Sequence, residues 1–431
     1  MPNHFPVDIK IGGMLYRDIR RAWRAGVMHV GLSRFFMRFT ALAQRILLAR
    51  ILGAENIGHI AVVTAVLSLI RLPAGVGTYT VVNKLVAENI DNQEAQKTVI
   101  GTSFWINSIT ALVASLISWF ILVYTDSVND LVANHLLRVL VPFLPLMIFT
   151  EIMRNALMGQ RRMKAIAGVD IGLSLIAIIV VVPMAYIWSI NGWLLNQVIV
   201  IIAGFGLLLW YLRRVLSWRW SSSVAKKVAT IGSFAFLHQI IGALVTQFDT
   251  LSVSALLKDP VMTGTYNTAA LVALQMMIVP GAVTSVVFPF VAQNKDDLPK
   301  LKQQYRELFS KVGGLAIGMS IVAWTLSPWF FPIFGQEFAD SIAPFRVLVI
   351  GFVARSLYIL DNTYLDALGR TDISFYSGVI AAASAIGLNL LMIPIWGIMG
   401  AAWATTISML VSLVMRQIAV HYVIFHKYAI R

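Results

Sequence analysis

The sequence has no cysteine, which excludes disulfides, thiol chemistry and cysteine-based metal sites. Charge is scarce: Asp, Glu, Lys and Arg make up 13% of the 431 residues, about half the usual share of a soluble domain. Acidic residues are the rarer sign, 20 against 34 Lys and Arg, for a formal net charge of +14. There is no Gly-Lys-Ser/Thr phosphate loop, hence no sign of an ATP-driven pump. No His/Asp/Glu cluster has metal spacing, and no loop is long enough to hold a glycosyltransferase or polymerase site. Neither a cofactor nor an enzymatic activity is expected. The first 26 residues are polar and basic and lack the apolar core of a cleavable signal peptide.

What the chain has in abundance is apolar surface. Hydrophobic residues reach 58%, with a mean hydropathy of +0.78. That leaves too little polar surface to cover a water-soluble globule, so the composition belongs to the membrane class. A charge of +14 would suggest nucleic acid in a soluble protein. In a membrane protein the placement of the charge matters more than its sum, and no nucleic-acid partner is expected.

A helix needs about 20 apolar residues to cross the ~30 Å hydrocarbon core. Residues 171–212 and 373–415 carry no charge at all. Each stretch is too long for one crossing and suits two, with a turn signal inside: Ser189-Ile190-Asn191-Gly192 in the first and Pro394-Ile395-Trp396-Gly397 in the second. The same reading along the chain predicts twelve spans, roughly 28–52, 57–83, 99–124, 134–158, 167–189, 194–212, 228–257, 262–291, 311–333, 341–367, 373–394 and 398–424. None shows the period-2 alternation of a β-barrel. Alternate loops collect the Lys and Arg, among them Lys84, Arg161, Arg162, Lys164, Arg213, Arg214, Lys300 and Arg370. The intervening loops hold Asp126, Asp130, Glu337 and Asp340 with only Arg50 and Lys258. Both termini are therefore expected on the cytoplasmic side. Tryptophans 188, 193, 218, 220, 329 and 396 fall at span ends, where interfacial belts form.

The two halves repeat at an offset near 207. Gly58 and Pro73 pair with Gly264 and Pro280, and the spacing from Gly159 to Gly168 recurs from Gly369 to Gly378. Six spans per half give both halves the same orientation, related by an axis along the membrane normal. The expected fold is all-α and polytopic, with a cytoplasmic basic arm (1–26) and two six-helix bundles (27–214 and 215–431). Rocking of the bundles about a cleft gives alternating access.

Apart from Arg50 at the edge of span 1, counted with the loop, nine arginines fall inside the spans, where each costs roughly 2.5–3.5 kcal/mol at the helix centre on the insertion scale. Arg34, Arg138, Arg154, Arg346 and Arg416 stand near span ends and are expected to snorkel. Arg34, Arg38 and Arg45 lie within about 40° of one another around span 1. This cationic stripe suits an anionic ligand in a wet cavity, and Arg71 in span 2 adds to it. Arg355, Tyr358, Asn362 and Asp366 share a face of span 10. Asp249 and His238 share a face of span 7, and Asp249 is the first candidate for cation or proton coupling, with His238 and Asp366 behind it. Each arginine could instead staple helices by pairing with a buried acid. Asp170 is expected to pair with Arg161, Arg162 or Lys164.

Four stretches carry a family resemblance. Arg50-Ile51-Leu52-Gly53 through Gly58, and Gly264-Thr265-Tyr266 preceded by the acidic Asp249, resemble paired stretches of Wzx-type polysaccharide flippases. So do the Phe334-Gly335-Gln336-Glu337-Phe338 turn and the Ile393-Pro394-Ile395-Trp396-Gly397-Ile398-Met399-Gly400-Ala401-Ala402 ending. His59 stands where an aromatic is usual, and Lys258-Asp259-Pro260 replaces a Leu-Gly pair. The match runs in order along nearly the whole chain. It implies membership of the multidrug/oligosaccharidyl-lipid/polysaccharide exporter superfamily, with its V-shaped fold, in a bacterial inner membrane. It also implies a cargo of lipid-linked anionic oligosaccharide carried on undecaprenyl diphosphate, the repeat unit of an O-antigen or exopolysaccharide. Membrane lipids would be partners, with H+ or Na+ as the coupling ion and a polysaccharide polymerase and chain-length complex alongside. Arg38, Arg45 and Arg355 would hold the headgroup. The rival readings are a MATE-like drug antiporter, which would favour an acidic cavity, and a non-transporting scaffold, which has no need of aligned arginines.

Overall fold

A computed structural model of the chain describes residues 27–125, 128–213, 216–295 and 297–426. The basic arm 1–26 lies outside the described residues, as do the side chains of Arg34 and Arg38. Every regular element among the described residues is helical. Hydrocarbon offers no partner for a free N–H or C=O, so a spanning segment must satisfy its backbone internally. In chain order the α-helices are α1 (Val27–Gly75), α2 (Thr78–Glu88), α3 (Gln93–Tyr124), α4 (Leu131–Leu140), α5 (Leu144–Gly159), α6 (Met163–Leu212), α7 (Ser222–Leu257), α8 (Pro260–Leu274), α9 (Ile278–Gln293), α10 (Leu298–Phe330), α11 (Ile342–Ala367) and α12 (Thr371–Val420).

Among the described residues nine helical stretches are long and apolar enough to cross a membrane. Three of these are broken. α1, α6 and α12 run 49, 50 and 50 residues and leave helical geometry at Gly53, Ser189 and Gly397. Fifty unbroken residues would extend about 75 Å, more than twice the core thickness. Each broken helix therefore counts as two spans, which fits the expected twelve.

The repeat is written in the backbone. Ser189 (φ 52, ψ −134) and Gly397 (φ 57, ψ −137) make the same turn, 208 residues apart. Arg161 (φ 58) pairs likewise with Gly369 (φ 78), and Gly53 (φ 76) with Lys258 (φ 53). Three residues past each hairpin turn stands a glycine that no other residue can replace without movement. A Cβ on Gly192 would lie 1.9 Å from the Met184 carbonyl oxygen, and one on Gly400 would lie 2.1 Å from that of Met392.

By contacts the chain forms two compact units. The first contains Met1–Arg45, Ala74–Val113 and Phe143–Ser233. Within it Arg154 pairs with Asp170 at 2.6 Å, a partner outside the expected Arg161, Arg162 and Lys164. The segment that links the repeats lies strapped along α3. Trp105 Nε1 donates to the Trp218 carbonyl at 3.1 Å and the Ser221 N–H to Thr102 Oγ1 at 3.0 Å. Arg219 pairs with Glu94. Gly101 leaves room for the strap, since a Cβ there would meet the Ser217 carbonyl oxygen at 2.3 Å. Trp193, expected in an interfacial belt, is instead buried, while Trp188, Trp218, Trp220, Trp329 and Trp396 are exposed.

The second unit contains Ile46–Pro73, Ala114–Pro142 and Phe234–Arg431. Its core joins α8, α11 and α12 around Tyr266, Phe331, Phe345 and Phe352.

Candidate functional site

The densest buried polar chemistry lies in the second unit, around α12. The hairpin break at Gly397 holds the two arms of that helix side by side. Asn389 and Thr405 each stand eight residues from the break, about 12 Å along the helix. Asp249 stands eight residues before the end of α7 at Leu257. The three side chains meet at one level. Asn389 Nδ2 donates to Asp249 Oδ1 at 2.7 Å, and Thr405 Oγ1 to Asp249 Oδ2 at 2.6 Å.

The Thr405 hydroxyl has one proton and a second acceptor in reach, the Ala401 carbonyl at 2.9 Å. Tyr266 closes the group with its OH 3.2 Å from Thr405 Oγ1. Asn389 Oδ1 is buried and has no partner among the described residues. One carboxylate, one hydroxyl, a backbone carbonyl and an unengaged amide oxygen form an oxygen set of the kind hard cations prefer. No three His, Asp or Glu side chains converge as a metal centre would need, among the described residues. With a single carboxylate, the set suits a proton or a monovalent cation. Arg355 of α11 is near enough for its charge to act on Asp249.

A second network sits further along α11 and α12. Asp361, fully buried, accepts from Tyr305 Oη at 2.6 Å and from Gln417 Nε2 at 3.0 and 2.9 Å to its two oxygens. Arg416 Nε donates to Asn362 Oδ1 at 2.6 Å, and its guanidinium lies 4.5 Å from the centre of the Tyr358 ring. Arg416 is 5% exposed, which corrects the expectation that it snorkels. Its helix continues to Val420 and a π turn to His426, so its side chain stays among α11 groups.

The predicted face of span 10 is thus divided. Tyr358 and Asn362 are engaged by Arg416. Asp366 accepts from Ser374 Oγ at 2.7 Å. Arg355 is left half-buried, with its guanidinium 5.6 Å from the centre of the Phe352 ring and its Nε without an acceptor among the described residues.

In the first repeat, Arg45 and Arg71 are partly exposed on α1. His238 is exposed on α7, eleven residues from the buried Asp249, so the structure does not bring the two together. Arg138 caps a neighbouring helix by donating to the Leu122 carbonyl at 2.9 and 2.6 Å from Nε and Nη2. Arg346 donates to Ser327 Oγ at 3.1 Å and covers the Trp324 ring at 4.1 Å. Asn389, Thr405, Tyr266, Tyr305 and Gln417 belong to these buried polar networks and were not flagged by the charge pattern.

A family model described as "Polysaccharide biosynthesis protein" matches residues 47–343. The lipopolysaccharide biosynthesis protein WzxC of Escherichia coli strain K12 is 25% identical over 350 residues, covering 78% of this chain and 68% of that protein. Two solved structures share the fold at 14% identity and a TM-score of 0.75 each. One is an inward-facing multidrug resistance MATE family transporter of the MOP superfamily, with 92% of this chain and 99% of that one covered. The other is the lipid II flippase MurJ in an inward closed conformation, with 91% and 87% covered.

Proposed function

The chain belongs to the polysaccharide biosynthesis protein family, and from that premise we propose that it is a flippase that moves a lipid-linked oligosaccharide across the membrane its helices span. The cargo is read as an undecaprenyl-diphosphate-linked repeat unit and the membrane as a bacterial inner membrane, with both termini on the cytoplasmic side. Residues 27–214 and 215–431 act as the two rocking halves.

The observation that carries this reading is Arg355. Its Nε is buried and finds no acceptor among the described residues, although the guanidinium lies by the Phe352 ring and within electrostatic range of Asp249. A diphosphate supplies anionic oxygens in the geometry a guanidinium fork prefers. Arg38 and Arg45, with Arg34 and Arg71, are proposed as further substrate-binding cations, read from the sequence pattern. Asp249, with Asn389 and Thr405, is the proposed coupling site, and H+ or Na+ the coupling ion. A drug antiporter that takes cationic cargo would be opposed by the same arginines.

The test is to replace Arg355 and Arg45 with Ala and follow lipid-linked oligosaccharide on each leaflet. Accumulation on the cytoplasmic leaflet is expected. Full surface polysaccharide at normal expression would remove both residues from the site. A scaffold without transport activity would show no flipping in reconstituted vesicles with the unaltered protein.

A further inference from the structure

Three of the motif stretches that mark the family lie far apart in sequence and meet at one joint in the second unit. Arg50 Nε donates to the Ile333 carbonyl at 2.6 Å, across 283 residues. Three residues later α1 breaks at Gly53. The break starts a new helical segment, whose first N–H groups have no carbonyl of their own. The Ala54 N–H donates to Glu337 Oε2 at 2.9 Å, again across 283 residues. Both Glu337 oxygens stand 3.4 Å from where a Gly53 Cβ would be. Glu337 thus caps the second segment of α1 as an N-cap carboxylate does, with the favourable end of the helix dipole facing it. It does so from the other repeat.

Beneath this cap the two repeats touch without side chains between them. A Cβ on Gly58 would lie 1.9 Å from the Pro260 carbonyl oxygen, and one on Gly264 would lie 2.0 Å from that of Ala54. Ala54 therefore engages the second repeat through both of its backbone groups.

Each side of the joint is held by its own repeat. The turn that bears Glu337 is anchored by Phe334 and Phe338, both fully buried, and by Ser341 Oγ, which donates to the Thr265 carbonyl at 2.8 Å. The segment that follows Gly53 is anchored by His59, whose Nδ1 is 2.6 Å from Asp130 Oδ2, while Asp130 Oδ1 caps α4 at the Ala133 N–H. Asp130 stands 207 residues before Glu337, the offset of the repeat. In each repeat an acid at this position caps a helix, but only the second repeat's acid reaches across to the first. The Arg50 and Glu337 side chains are themselves exposed, so each of the two bonds has one end within reach of water, which can replace it when the joint opens.

We infer that Glu337 and Arg50 are positioning residues of the transport cycle. They latch the two repeats at the helix break at Gly53 and the turn 331–341, and transport requires this latch to release. The inference rests on the transport reading only for its effect on export; the latch itself is a conformational claim with its own readout.

The lack of native cysteine makes that readout direct. A single cysteine at the fully buried Ile57 (Ile57→Cys) is treated with a membrane-impermeant maleimide. Adding Glu337→Ala is expected to raise the labelling rate several-fold, and Glu337→Gln, which keeps an acceptor for the Ala54 N–H, to leave it near the starting rate. Equal labelling in all three would overturn the latch. If Ile57→Cys does not fold, Thr265→Cys, 2% exposed on the facing helix, serves in its place. The pair Ala54→Cys and Glu337→Cys, joined by a short bismaleimide, is expected to stop export where neither single variant treated alike does. Undiminished export by the cross-linked protein would also overturn it. If the unaltered protein exports no lipid-linked oligosaccharide, the flippase reading fails and the labelling arm still decides the latch.

Discussion

At Ser189 in α6 and at Gly397 in α12 the chain turns through nearly the same backbone angles, and each turn is followed by a glycine pressed against a carbonyl. What the hairpins carry differs. The arms of α12 present Asn389 and Thr405 to a buried carboxylate. The positions 208 residues earlier in α6 are Val181, buried and apolar, and Gln197. α7 supplies Asp249, whereas the corresponding stretch of α1 supplies Arg45. Duplication kept the scaffold and changed what it carries: the buried carboxylate network of Asp249, Asn389 and Thr405 has no polar counterpart at Val181 in the first repeat.

The largest effect is expected at the point of divergence. Asp249→Asn should cut gradient-driven export by about tenfold or more, equivalent to at least roughly 1.4 kcal/mol, while Gln197→Ala stays within about twofold. Export measured with and without an imposed H+ or Na+ gradient separates coupling from folding; an Asp249→Asn protein that still responds fully to the gradient would return the carboxylate to a structural role. The next effect tests what the hairpins share. Gly192→Ala and Gly400→Ala should each lower stability by about 1–3 kcal/mol through overpacking, read as the thermal midpoint in detergent. Tolerance of one and not the other would mean that the two turns are not built alike.

A smaller pair has opposite signs. Ser189 adopts a positive φ that suits glycine, so Ser189→Gly should gain, and Gly397→Ser lose, on the order of 1 kcal/mol. The smallest effect concerns the caps. Burial raises the Asp130 carboxyl, but the His59 hydrogen bond and the Ala133 N–H outweigh it and hold the group below the ordinary carboxylate range. A depressed folded value contributes stability that is complete above the unfolded value, near pH 3.9, and is lost as pH falls through the folded one. Acid unfolding of Asp130→Asn should therefore lack part of the drop seen below about pH 4.

The spans, the hairpins and the repeat were legible because hydropathy and turn residues report them directly. Most pairings across the hairpins were not, yet a geometric rule could have found them. Arg154 and Asp170 are each eight residues from position 162, where α5 turns into α6. Leu122 and Arg138 are eight from Asp130, Asp366 and Ser374 are four from Arg370, and Asn389 and Thr405 are eight from Gly397. Antiparallel helices of equal rise bring equidistant residues to the same depth. Charge patterning sent Asp170 toward the loop arginines, because it weighs sign and not depth. Asn389 and Thr405 are neutral and leave no mark in a charge pattern. Arg416 was misplaced for a different reason: snorkelling assumes a helix that ends in water, and here the helix runs on past it.

The strap along α3 has a mechanical consequence. Ser217 to Ser221 follow the position where the repeats are joined, yet they are bonded to Thr102, Trp105 and Glu94 of the first repeat. The covalent join is therefore backed by a non-covalent one only a few residues away. A protein expressed as two pieces, divided at 214–215, would leave the second piece with its own handle on the first. The length of slack available to the halves is set by where that handle ends, rather than by the number of residues between their helices.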